Sequence, residues 1–366
     1  MNIIISGGGT GGHIYPAIAI AQTLRKQFPS CNILFVGAEG KMEMEKVPKA
    51  GFEIKGLPIR GLQRSLSIEN LKFPFRLLSS LWQARQIIQQ FQPHVCIGVG
   101  GYASGAVLQM AALANIPIII QEQNSYAGMT NKLLSRYAKK ICVAYPNMEK
   151  FFPKEKIVFT GNPVRNDLIN LDSLKEKSYT YFNLNTNQKT ILVVGGSLGA
   201  KSINQAILQQ VDKIIENYQL VWQTGNTDFQ RITQKLGEKN LLAHKNLVVK
   251  DFIYEMQFAY SIADIVISRA GALAISELSL AGKPCIFVPF PFAAEDHQTK
   301  NALSLVEAHA ALLVKDSVAN NKLVDLAHEL LQDTAQQESL QKNIKTFAKP
   351  KAAEEIVAEI VKLITL

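Results

Sequence analysis

The chain has 366 residues, of which 47% are hydrophobic, and a net charge of +9. It is too long for one ordinary core and too apolar to be disordered, so two domains are the default expectation. Residues 1–163 carry 18 Lys and Arg against 8 Glu and no Asp, whereas residues 164–366 carry 21 against 22. The positive excess therefore lies in the first half and points to an anionic partner there, with solubility as the plainer alternative. Cys31, Cys96, Cys142 and Cys285 are isolated, with no Cys-x-x-Cys pair and no His at ligand spacing. They read as reduced cytosolic thiols, and no zinc site or disulfide framework is expected.

In chain order, Ile3–Ile5 form a short apolar run that enters the turn Gly7-Gly8-Gly9-Thr10-Gly11-Gly12-His13. No basic segment precedes it, so a secretory signal is not expected. A helix over Ala17–Phe28 follows, then apolar runs at Ile33–Val36, Val95–Val99, Ile118–Ile120 and Ile141–Val143. Val95–Gln121 holds no charged residue and is long enough to span a membrane, but Gly98, Gly100, Gly101, Gly105 and Pro117 interrupt it. It is read instead as strand, glycine turn, buried helix over Ser104–Ala114, and strand.

Gly161-Asn162-Pro163 ends the last strand of the first half and marks a boundary, and the polar stretch Asp172–Gln188 is expected to extend the linkage. The second half repeats the alternation with Ile191–Val194, Leu220–Gln223, Leu247–Val249, Ile265–Ser268 and Ile286–Val288. The tail Lys351–Ile364 has helical apolar spacing at Ala352, Ile356, Ile360 and Ile364 and is expected to dock on a domain surface. Strands alternating with helices predict an α/β chain of two doubly wound parallel-sheet domains.

Each half opens with strand, glycine turn and helix: Gly7–His13 in the first, Gly195–Ala200 in the second. Such a turn brings backbone N–H groups close to a ligand, and the helix N-terminus behind it favours an anion. Gly7, Gly9 and Gly12 satisfy G-x-G-x-x-G with Glu39 beyond the next apolar run, which is the dinucleotide-dehydrogenase reading. Five glycines in six positions suggest a more open loop than a dinucleotide needs. Gly195–Ser202 resembles a Walker loop, but Ala200 stands where the second glycine is required.

His13 follows the first turn at a helix start and is the evident general base for an alcohol at neutral pH; the structural alternative is a histidine that only braces the turn. Ser268–Glu277 leaves a buried strand, turns at Gly271 and enters a helix whose first N–H groups suit a diphosphate. Glu277 lies a turn and a half further on, where a carboxylate can accept both ribose hydroxyls; alternatively it is a solvated surface glutamate. Pro289–Gln298 is read as a proline-stiffened loop after a buried strand. No Asp-x-Asp occurs, so a carboxylate-held metal on a nucleotide-sugar is not expected, and helix N-termini with Ser197 and Arg165 would stabilise a diphosphate leaving group instead. Leu71, Phe75, Leu78 and Trp82 recur at helical spacing among Arg60, Arg64, Lys72, Arg76 and Arg85. Such a stripe is either core or a surface resting on anionic lipid.

Taken together, Gly-Gly-Thr-Gly-Gly-His at 8–13, Glu-Gln-Asn at 122–124, Gly-Asn-Pro-Val-Arg at 161–165, the turn at 195–200, Arg-Ala-Gly-Ala at 269–272 with Glu277, and Asp-His-Gln at 296–298 closely resemble the MurG family of N-acetylglucosaminyltransferases. The resemblance runs nearly end to end. It implies a GT-B fold of two Rossmann-like domains facing across a cleft: an acceptor and membrane-facing domain over 1–163, a domain binding UDP-N-acetylglucosamine (UDP-GlcNAc) over 164–340, and a C-terminal helix over 341–366 packing back toward the first.

It also implies inverting transfer of GlcNAc to the 4-hydroxyl of MurNAc in undecaprenyl-pyrophosphoryl-MurNAc-pentapeptide, converting lipid I to lipid II for peptidoglycan at the cytoplasmic face of the inner membrane, without a cofactor or metal. By the same resemblance His13 is the base and Glu277 the ribose ligand. Thr10, Gly11, Gly12, Asn124, Arg165, Ser197, Ile253, Ala272, Leu273, Ala274, Ile275, Ser276 and Gln298 line the donor site. Leu71, Lys72, Phe75, Arg76, Leu78 and Trp82 are then expected to contact anionic lipid. The chain departs from the family pattern at Gln121, where a His is usual, at Leu198, where a Gln is usual, and at Ala274, where a Thr is usual. Ala274 keeps its backbone N–H but loses a hydroxyl contact.

Overall fold

The computed structural model describes residues 1–59, 73–164, 168 and 170–364. The chain divides into two compact units, one of Met1–Val164 with Lys351–Leu366, the other of Arg165–Pro350.

The first unit is a seven-stranded parallel sheet in the order β3-β2-β1-β4-β5-β6-β7. Its strands are β1 (Asn2–Ser6), β2 (Asn32–Ala38), β3 (Glu53–Leu57), β4 (Val95–Gly98), β5 (Ile118–Glu122), β6 (Lys140–Val143) and β7 (Ile157–Phe159). The central strand β1 is apolar on both faces because helices cover both, and Ile3, Ile4 and Ile5 are fully buried. Each such side chain stabilises the fold by roughly 1.5–3 kcal/mol relative to exposure.

The helices are α1 (Gly11–Gln27), α2 (Glu43–Lys49), α3 (Phe73–Phe91), α4 (Tyr102–Leu113) and α5 (Met129–Leu134). α1 begins six residues before the expected start, directly out of the glycine turn. The charge-free stretch divides into β4, α4 and β5, and among the described residues no helix is long and apolar enough to cross a membrane. The core between β1 and α1 also takes Ile356, Val357 and Ile360 of the terminal helix.

The second unit is a six-stranded parallel sheet in the order β10-β9-β8-β11-β12-β13. It comprises β8 (Thr190–Val194), β9 (Gln219–Gln223), β10 (Leu247–Lys250), β11 (Ile265–Ser268), β12 (Cys285–Phe287) and β13 (Leu312–Leu313). The helices in chain order are α6 (Lys175–Phe182), α7 (Lys201–Asn217), α8 (Phe229–Glu238), α9 (Met256–Ile262), α10 (Ala272–Ala281), α11 (His297–Glu307), α12 (Ala319–Gln332) and α13 (Thr334–Lys345). The terminal α14 (Ala352–Ile364) belongs to the first unit. Trp222 is fully buried on β9 and its indole N–H donates to Asn204 Oδ1 at 3.0 Å.

The polar stretch 172–188 is not a linker. It contains α6, which buries Tyr179 and Phe182, and the Ser261 hydroxyl of α9 donates to the Ser178 hydroxyl at 2.7 Å. Its charged residues face out, and two aromatic residues three apart, with the buried Ser178, seat the other face. In both sheets the strand order reverses at the central strand. Ligands of open α/β sheets bind beyond the strand C-termini at such a point, which directs attention to the turns after β1 and β4 and those after β8 and β11.

Candidate active site

In the first unit the turn after β1 is bound to its surroundings by backbone. Gly7 N–H donates to Val36 O and Gly8 N–H to Gly100 O, each at 3.3 Å. Gly100, after β4, has φ +98, and a Cβ there would stand 2.8 Å from His13 Nε2, so the close approach requires glycine. His13 is the third residue of α1, and its Nδ1 lies 2.9 Å from Gly8 O and 3.4 Å from Thr10 Oγ1. A carbonyl oxygen only accepts, so Nδ1 carries the proton and Nε2 is the basic nitrogen of the neutral ring. The N-cap residue of α1, Thr10, makes no side-chain cap bond to the first N–H groups of the helix. The turn also holds a residue the sequence reading did not single out. Glu43, the first residue of α2, is 1% exposed, and its carboxylate accepts the N–H of Gly9 at 2.9 Å and of Ala38 at 3.0 Å.

At the end of β5, Glu122 is 1% exposed. Its carboxylate accepts from the backbone N–H of Asn124 at 3.1 Å and of Gly128 at 3.0 Å, and from the side-chain amides of Asn124 at 3.4 Å and Asn131 at 2.8 Å. Four donors converge on two oxygens, an arrangement that fixes the loop carrying Asn124 and leaves Glu122 poorly placed to take a proton from a substrate. Behind it Gln121 donates to Asn162 Oδ1 at 2.9 Å, Gln123 donates to Val99 O at 2.8 Å, and Asn162 returns a bond to Gln123 O at 3.0 Å. Gln121 is thus a buried structural amide.

In the second unit the turn after β8 exposes Ser197 and Leu198, and Ser197 O accepts from Asn226 N–H at 3.1 Å. Ile253 is buried, its N–H donating to Gln223 Oε1 at 2.8 Å. After β11, Gly271 is the N-cap of α10 and, lacking a side chain, supplies no side-chain cap. The N–H groups of Ala272, Leu273 and Ala274 precede the first helical bond, from Ile275 N–H to Gly271 O, and point out of the helix end with its positive dipole.

Glu277 is half-buried on the same helix, with the Tyr260 hydroxyl donating to its Oε2 at 3.2 Å; Ser276 Oγ bonds back to Ala272 O at 3.0 Å. Arg269 is spent internally: its Nη1 donates to Val288 O at 3.0 Å, Pro289 O at 3.2 Å and Asp316 Oδ1 at 2.5 Å. Gln298 lies in α11, not in a loop, since the helix begins at His297; its Oε1 accepts from Phe290 N–H at 3.0 Å.

On α3, Phe75, Leu78 and Trp82 are 76, 65 and 61% exposed, while Ser80, Ala84, Ile87 and Ile88 take the core-facing side. The stripe is therefore surface. Arg85 is exposed and Arg76 half-buried on the same helix. Arg165, Leu71 and Lys72, with Arg60 and Arg64, lie outside the described residues.

Both units are doubly wound α/β folds whose first helix follows a glycine turn, the architecture of nucleotide-binding α/β proteins. The glycosyltransferase family 28 N-terminal domain profile matches residues 3–143 and the family 28 C-terminal domain profile residues 190–356. The chain belongs to glycosyltransferase family 28 and is a glycosyltransferase. It is 54% identical over 99% of its length to a Flavobacterium psychrophilum protein, of which 97% is covered, named UDP-N-acetylglucosamine--N-acetylmuramyl-(pentapeptide) pyrophosphoryl-undecaprenol N-acetylglucosamine transferase. A Parabacteroides distasonis protein of the same name is also 54% identical, covering 99% of this chain and 98% of that one.

Among solved structures, Acinetobacter baumannii MurG superposes with a TM-score of 0.77 at 30% identity, covering 99% of each chain. A Neisseria meningitidis UDP-GlcNAc 2-epimerase has a TM-score of 0.69 at 15% identity and covers 99% of this chain and 100% of that one, a likeness of fold alone.

Proposed function

We propose that the chain transfers GlcNAc from UDP-GlcNAc to the 4-hydroxyl of MurNAc in undecaprenyl-pyrophosphoryl-MurNAc-pentapeptide, by one inverting displacement and without a metal. The observation that carries the reading is His13 Nδ1 at 2.9 Å from Gly8 O, a contact that assigns the ring proton to Nδ1, so that Nε2 takes the acceptor's proton as the hydroxyl attacks the anomeric carbon and UDP leaves. The 272–274 N–H groups take the leaving diphosphate, Ser197 and Arg165 contribute polar contacts to it, and Glu277 takes the ribose hydroxyls. Charge that develops on a diphosphate is met by preorganised donors, which supply what a metal would otherwise supply. Thr10, Gly11, Gly12, Asn124, Ile253, Ile275, Ser276 and Gln298 complete the donor site. Leu198 and Ala274 offer backbone groups only, so recognition there depends on main-chain position. The α3 stripe with Lys72 and Arg76 rests on the anionic cytoplasmic leaflet of the membrane that carries the acceptor.

UDP release from UDP-GlcNAc, measured in EDTA with and without a short-chain lipid I analogue, tests this. Acceptor-dependent release is expected, falling by about 10²–10⁴-fold in His13→Ala. Release that needs no acceptor, or none despite demonstrated UDP binding, would overturn the transferase assignment for that acceptor.

A further inference from the structure

The Gly8–Gly9 peptide unit is gripped at both ends: Glu43 Oε2 accepts its N–H at 2.9 Å, and His13 Nδ1 donates to its C=O at 2.9 Å. The described chain has no cis peptide, so the two groups point in opposite directions in one plane. We infer that Glu43 is a positioning residue for His13, acting through this peptide unit. The inference rests on the reading of His13 as the base. Gly9 has φ +85, a conformation glycine adopts without strain, and a flip of that plane would remove the His13 acceptor.

The second Glu43 oxygen holds Ala38 N–H at 3.0 Å, at the last residue of β2, which ties the plane to the sheet. A carboxylate accepting the N–H also polarises the unit, making Gly8 O a stronger acceptor for Nδ1–H and favouring the imidazolium that forms when Nε2 takes a proton. A carboxylate bonded directly to a catalytic imidazole does the same in hydrolase triads. Here one peptide unit stands between them. A buried carboxylate is costly without partners, and Glu43 takes the backbone N–H groups of Gly9, in the histidine turn, and of Ala38, at the end of β2.

Glu43→Gln keeps the size of the side chain but offers one acceptor oxygen to two N–H donors. The test is ¹⁵N-histidine NMR of the full chain, with the His13 signals, among those of six histidines, assigned by their loss in His13→Ala. Tyr15, Glu39, Lys41, Glu45, Lys46, Lys49 and Tyr102 are the neighbouring titratable residues on the segments that meet here, and the variants leave them intact.

Wild type should show the Nδ1–H tautomer. In Glu43→Gln the tautomer should mix and the imidazole midpoint fall. The kcat should drop by about tenfold with KM for UDP-GlcNAc within about threefold, and the acid limb of the kcat profile should move to lower pH with the imidazole. Folded Glu43→Gln with the wild-type His13 spectrum and kcat would overturn the inference. If Glu43→Gln does not fold, the wild type decides: Nδ1–H with a downfield, slowly exchanging Gly9 amide supports it, and Nε2–H overturns it. Full activity in His13→Ala would instead overturn the base assignment, so the two failures are distinct.

Discussion

Glu277 and Tyr260 come from different helices and meet at 3.2 Å, so the carboxylate is oriented before any nucleotide arrives. If its two oxygens take the two ribose hydroxyls, Glu277→Gln, which keeps one acceptor oxygen and adds a donor, should weaken UDP binding about tenfold, or about 1.4 kcal/mol. The sharper readout is discrimination: wild type should bind UDP better than 2′-deoxy-UDP, and the variant should bind the two within about twofold in calorimetric titrations. A variant that still prefers the ribonucleotide would remove Glu277 from the ribose.

His13 and Glu277 stand out in the sequence as candidates because each follows a glycine turn at fixed local spacing. Glu43 is not legible there, since nothing in a glutamate 34 positions from Gly9 announces that α2 will return it to the turn. The three buried cysteines are held as thiols for a related reason of placement. Burial, with Glu359 nearby as a lesser cause, pushes the Cys142 thiol up to about 12, and burial likewise raises Cys96 and Cys285.

Apolar runs buried on both faces announced the central strands, but the edge strands were harder to see. β3 is Glu-Ile-Lys-Gly-Leu and β13 has two residues, too mixed or too short for periodicity to register. The stripe on α3 shows the opposite limit: spacing identifies a face but not what covers it. Phe75, Leu78 and Trp82 recur as core residues do, yet the opposite side of the helix supplies the core. An apolar surface beside cations partitions into anionic interfaces through both terms, burial and charge. Phe75→Ser with Trp82→Ser should therefore weaken binding to phosphatidylglycerol-containing vesicles by at least about tenfold in co-sedimentation, on the order of 1–2 kcal/mol for the apolar area withdrawn. UDP affinity and melting temperature should hold, since neither side chain is packed. Wild-type protein that stays in the supernatant with such vesicles would dismiss the membrane-contact reading of α3.

At the scale of the whole molecule, the chain leaves the first unit at Val164 and re-enters it at Lys351. What returns is structural: Ile356, Val357 and Ile360 are fully buried in the same cluster as Ile14, Ala17 and Leu24 of α1. Three such side chains contribute roughly 5–9 kcal/mol by area, comparable to the whole net stability of a typical domain. Removing residues 351–366 should uncover that face of α1 and leave β1 and β4 without hydrogen-exchange protection at 37 °C. β8 and β11 of the second unit should exchange as in the full chain. Unchanged protection in β1 would show that the sheet holds without its last helix. The partners are separated by more than 300 positions, so closing this contact carries the entropy of a very long loop. That entropy grows only slowly with length and is reduced once the second unit has folded and brought its ends into place. The first unit, though synthesised first, is then the second to complete its core.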